Sequence, residues 1–106
     1  MLKESGFENG AYDNCDRLGV WEGKLDAAAY GRGSRTSASG KGTRMGLHLY
    51  VRALEDDRKF WLFVFYFPTS EVYRKAQNLE VGNQIRLETV PGRDDHTIVK
   101  TLDKLS

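Results

Sequence analysis

The chain has one cysteine, two prolines and two histidines in 106 residues. A lone Cys15 excludes an internal disulfide and any cysteine-based metal site, and it fits a reducing compartment. His48 and His96 have no partners at metal-ligand spacing. No window holds the roughly 18 consecutive apolar residues that a membrane helix needs. The start, MLKESGFENGAYDNC, lacks the basic opening and apolar run of a secretion signal. A soluble cytoplasmic protein with no membrane contact, no metal and no cofactor is expected. The net charge of +1 excludes a polycation, so any affinity for nucleic acid must come from uneven placement of charge. The length suits one domain with one core.

Acidic residues are also missing from one particular place. Residues 31–44, G-R-G-S-R-T-S-A-S-G-K-G-T-R, hold Arg32, Arg35, Lys41 and Arg44 with no acid and almost nothing apolar. This is the composition of a solvated loop. Within it, S-G-K-G-T is not a nucleotide phosphate loop. Arg35 stands where that motif needs a glycine, Gly42 where it needs Ser or Thr, and the strand-to-helix setting is absent.

What the chain has in excess is concentrated in residues 60–67, F-W-L-F-V-F-Y-F, which carry half of its aromatic residues. Aromatic and β-branched residues favour strands, and the run is too short for a membrane helix. Alternation puts Phe60, Leu62, Val64 and Tyr66 on one side and Trp61, Phe63, Phe65 and Phe67 on the other. Burial of the aromatic set is one outcome, since phenylalanine is usually inside. The other outcome turns Leu62 and Val64 inward and leaves the aromatics on an open face.

The rest of the chain reads as alternating elements. Residues 1–16 form a polar N-terminal arm, either loosely held or tied down by Phe7 and Tyr12 as an extra edge strand. From Arg17, L-G-V-W-E-G-K-L is a strand with Trp21, Gly23 and Leu25 on one face, and Gly23 marks a bend or bulge. Residues 27–29 either continue it or begin a helical turn. Residues 45–53 are the cleanest strand, with Leu47, Leu49 and Val51 inward and His48, Tyr50 and Arg52 outward. The charged turn E-D-D-R-K joins it to the aromatic strand as an antiparallel hairpin. Pro68 ends that strand, and Thr69 or Ser70 caps a short helix with Val72, Tyr73, Ala76 and Leu79 on its buried stripe. Gly82 closes the helix. A fourth strand covers 83–90, with Ile85 and Leu87 on one face. A Pro91-Gly92 turn leads to a fifth over 96–102.

Five strands with one short helix between the third and fourth is the order of the oligonucleotide/oligosaccharide-binding (OB) barrel. A mainly β, five-stranded OB-fold barrel over residues 17–106 is therefore expected. The run F-Y-F-P-T-S-E-V-Y-R-K-A-Q-N-L-E-V-G-N-Q-I-R-L resembles the third strand, helix and fourth strand of bacterial single-stranded-DNA-binding proteins, and G-V-W-E-G-K-L is similar to their first strand. The resemblance covers residues 17–102 by element order. It bears on fold more than on activity, because OB barrels also bind proteins and sugars.

Two features then converge on one face. Trp61, Phe63 and Phe65 would lie beside His48, Tyr50 and Arg52 as a stacking platform, with Tyr30 nearby. Arg32, Arg35, Lys41 and Arg44 would close over a phosphate backbone from the loop between the first two strands. The expected function is non-catalytic binding of single-stranded nucleic acid, DNA ahead of RNA. The alternative uses the same aromatic face as a protein–protein interface, in a homodimer or a larger assembly. No nucleophile–base or metal constellation points to an enzyme. Cys15 lacks the electropositive setting of a reactive thiolate, and Glu55, Asp56 and Asp57 read as a solvated turn.

Overall fold

The period-two patterns become strands, and their order follows from which edges pair. The structure is a computed structural model that describes residues 12–32, 45–66, 69–92 and 97–106, the side chain of Arg32 excepted. The expectations placed on Arg35, Lys41, Arg44, His96, Phe67, Pro68 and residues 1–11 lie outside the described residues. The elements are β1 (Asp13–Asn14), β2 (Gly19–Arg32), β3 (Met45–Ala53), β4 (Lys59–Phe65), α1 (Glu71–Gln77), β5 (Gln84–Pro91) and β6 (Thr97–Lys104).

The fold is mainly β with one short helix, as expected. The sheet has six strands rather than five, in the order β1-β4-β3-β2-β5-β6, and it is not closed into a barrel. The extra strand is β1, which pairs parallel with β4 through Asp13↔Phe60 and Asn14↔Trp61. The two edges approach where the Thr97 hydroxyl donates to the Cys15 carbonyl at 2.6 Å, while the Cys15 N–H donates to the Trp61 carbonyl at 3.2 Å.

β2 serves two neighbours. Its first part, Gly19 to Lys24, pairs with β5, and Gly23 to Arg32 pairs with β3, so residues 27–29 continue the strand. The irregularity falls between Leu25 and Ala27, which makes Asp26 the extra residue. The bend was expected at Gly23. That glycine is needed for close approach instead, since a Cβ there would lie 2.5 Å from Val51 Cγ1.

The inner face carries the core. Leu25, Leu47, Leu49, Val51, Phe60, Leu62, Ile85, Leu87 and Leu102 are all at most 2 % exposed. Leu62 and Val64 thus point inward, and the aromatic set of β4 points out. α1 covers one end of this core with Tyr73, Ala76 and Leu79. Ser70 caps it, its hydroxyl accepting from the Tyr73 N–H at 3.2 Å. At the opposite end Arg17 lies over Trp21 and Phe60, 5.8 and 5.5 Å from the ring centres, and is paired with Asp56 and Glu55. The Trp21 indole N–H donates to Thr89 Oγ1 at 3.1 Å, and that hydroxyl donates to the Arg17 carbonyl. The Trp21 and Thr89 polar groups are satisfied in this way without opening the core, whereas Arg17 Nη1 is buried with no hydrogen-bond partner among the described residues.

Candidate nucleic-acid interface

The outer face of β2, β3 and β4 is built by the same alternation that fills the core. Cross-strand register sets Ala29 against His48, His48 against Phe63 and Tyr50 against Trp61. Small side chains on β2 therefore lie beside large flat ones on β3 and β4. A run of rings results. His48 stacks on Trp61 with centroids 5.5 Å apart and planes 30° apart, Phe63 lies 4.8 Å from His48, and Phe65 meets Phe63 edge-on at 5.1 Å. Phe63 leans over Gly46, where a Cβ would stand 2.7 Å from the ring and 2.2 Å from the Val64 carbonyl oxygen. The Trp61 indole N–H donates to His48 Nδ1 at 3.1 Å.

Exposure along this run is graded. Phe65 is 45 % exposed, Trp61 and Phe63 are half-buried, and His48 is half-buried between them. Tyr50, expected on the open face, is on that face but buried. Tyr12 lies across it, with ring centroids 5.3 Å apart at 76°. The Tyr12 hydroxyl donates to Asp26 Oδ2 at 2.7 Å, and Arg52 Nε donates to the same oxygen at 3.3 Å. Desolvation, then the carboxylate beside it, pushes the Tyr12 hydroxyl up to about 12, so it stays protonated. Arg52 is therefore tied to Asp26 rather than turned toward a phosphate. Lys59 stands over the Tyr12 ring at 5.8 Å.

Sequence reasoning missed Asn14 and Asp26, and it offered Tyr12 only as a tie for the N-terminal arm. Each belongs to a feature without a period: a two-residue parallel edge strand and a bulge. Tyr12 and Asn14, together with Ala29, Tyr30, Gly31, His48, Tyr50 and Trp61, border an open cleft of about 490 Å³ on this face, and Asp26 holds the Tyr12 hydroxyl. Of the expected phosphate contacts, Arg32 ends β2 beside this cleft by its backbone position, while Arg35, Lys41 and Arg44 fall outside the described residues. Among the described residues no three His, Cys, Asp or Glu side chains come together to hold a metal ion, and no helix is long and apolar enough to cross a membrane. Cys15 is buried, and burial pushes its thiol up to about 11.

Compared with family models, curated proteins and solved structures, the chain matches none of them. The resemblance to bacterial single-stranded-DNA-binding proteins therefore rests on the quoted residues and the element order alone.

Proposed function

We propose that this protein binds single-stranded nucleic acid, DNA ahead of RNA, and does no chemistry on it. The observation that carries the reading is the line of rings Trp61, His48, Phe63 and Phe65 on the outer face of the sheet. Flat side chains held in a row by paired strands offer successive bases a stacking surface, and stacking tolerates any base because every base has a π-face. Residues 33–44 connect β2 to β3, and Arg35, Lys41 and Arg44 within them are the cations that would contact a phosphate backbone.

The architecture is read as a variant of the OB barrel. Its five long strands run β4-β3-β2-β5-β6, with α1 between the third and fourth of them in chain order, and β1 is an addition at the edge. In that architecture the face formed by the second and third strands takes the ligand, and here the aromatic line lies on β3 and β4, the second and third long strands. A reducing cytoplasm suits the buried, unpaired Cys15.

Fluorescence titration with a labelled oligo-dT at low salt tests the proposal. Micromolar or tighter binding that weakens as salt is added is expected, and no binding at low salt would overturn it. A second reading has its own support at the far end of the line. Phe65, Tyr66 and Met45 are 45, 54 and 47 % exposed and together form an apolar edge suited to a protein partner or a second copy. Sedimentation separates the two, because a dimer that buries Trp61 and ignores oligonucleotides would favour the second.

A further inference from the structure

The rings of β4 treat all bases alike, but the cleft beside them does not have that symmetry. Tyr12 lines it together with the stacked pair Trp61 and His48. Ala29 and Gly31, which also line it, carry almost no side chain and so leave room for a flat group. The volume, about 490 Å³, lies within the ~300–1,000 Å³ typical of small-ligand clefts. At the rim stands Asn14, directly paired with Trp61 in register, on the same face as Tyr12 two residues earlier. The Asn14 side chain is exposed, and its amide presents both a donor and an acceptor in one plane.

We infer that this cleft takes a single unpaired base, sandwiched between Tyr12 and Trp61 with its hydrogen-bonding edge read by Asn14. This rests on the proposed binding of single strands and adds a base preference to it. Sequence-specific recognition of single strands works in this way, by stacking a splayed base on aromatic rings and hydrogen-bonding its edge. The geometry favours a built wall over a displaceable cover. β1 is paired to β4, Cys15 next to it is held from both edges of the sheet, and the Tyr12 hydroxyl is anchored on Asp26.

The test compares oligo-dT, oligo-dC and oligo-dA of equal length against the full chain, by fluorescence titration at one salt concentration. The wild type should separate the strongest from the weakest homopolymer by about tenfold, and Asn14→Ala should shrink that spread while retaining the stacking-driven affinity. Tyr12→Leu should weaken binding to every homopolymer by about tenfold, and circular dichroism would check that it is folded. Equal wild-type affinities for all three strands, or a spread that survives Asn14→Ala, would overturn the inference while leaving single-strand binding intact. Tighter binding by Tyr12→Leu would also overturn it, because Tyr12 would then be a plug on the face. Failure of the wild type to bind any of the three would remove the functional proposal and the pocket together.

Discussion

Phe60 and Trp61 are neighbours in sequence with opposite surroundings, and the pair separates stability from binding. Phe60 is fully buried, edge-on to Trp21 at 5.5 Å with Arg58 over its ring at 4.7 Å. Trp61 is half-buried on the outer face, and its indole N–H donates to His48. Phe60→Ala should cost about 3–5 kcal/mol of stability in a denaturant melt. Trp61→Ala should cost about 1 kcal/mol or less there, yet weaken oligo-dT binding by about 1–3 kcal/mol. Equal loss of stability in the two variants would place Trp61 in the core and remove it from the platform. Cys15 gives a second prediction at this scale. Burial raises its thiol from the ordinary 9.0 to about 11, so the folded state resists losing that proton. The contribution is fully present below about pH 9, where the unfolded thiol is still protonated, and is lost as pH rises toward 11. A shift of this size is on the order of 2–3 kcal/mol. Urea melts should therefore weaken between these limits, and Cys15→Ala should flatten the fall. A wild-type profile that stays level across this window would contradict the burial of the thiol.

At the scale of elements, the packing of β3 on β4 depends on an absence of side chain. Gly46 sits where a Cβ would collide with the Val64 carbonyl oxygen at 2.2 Å and with the Phe63 ring. The first of these is backbone and cannot swing aside. Gly46→Ala should destabilise by about 1–3 kcal/mol through this overpacking. Among the described residues, Gly31→Ala meets only the His48 ring at 3.4 Å and should stay within about 0.5 kcal/mol. Thermal melts of the two variants check the contrast, and similar melting temperatures would refute it. The alternation that forms these strands is legible in the chain. Leu47, Leu49 and Val51 demand one buried face, but alternation alone does not decide whether the Leu62 and Val64 side or the aromatic side of β4 meets them. The helix was legible for the same reason, as Ser70 and the Tyr73, Ala76, Leu79 stripe announce it. What could not be read has no repeating signal. β1 is two residues long and exposed, so nothing in its hydrophobicity separates it from a free arm. The burial of Tyr50 depends on Tyr12, 38 positions away, and the engagement of Arg52 depends on a bulge at Asp26. Such contacts are set by how strands curl past one another, which periodicity does not encode.

For the whole molecule, a net charge of +1 conceals how its cations are divided. Most arginines in the described residues are already paired: Arg17 with Asp56, Arg52 with Asp26, Arg58 with Asp16 and Arg86 with Glu22. Lys75 is held between Asp103 and Glu71, at 2.7 and 3.3 Å. A phosphate would have to compete with a carboxylate at each of these. The densest run of positive charge in the sequence is in residues 31–44, where four cations stand with no acid among them. Electrostatic attraction of a single strand should therefore reside in that segment, while the rings supply contacts that do not release counterions. The two contributions respond differently to salt. Each phosphate neutralised on a single strand contributes about 0.7 to the slope of log affinity against log salt. Replacing Arg32, Arg35, Lys41 and Arg44 together by Gln should weaken binding and lower the magnitude of that slope by up to about 3. Trp61→Ala should weaken binding with the slope unchanged. Titrations of both variants at several salt concentrations measure the difference. If the Gln variant kept the wild-type slope, the phosphate contacts would lie with the paired arginines, and their carboxylates would have to release them on binding.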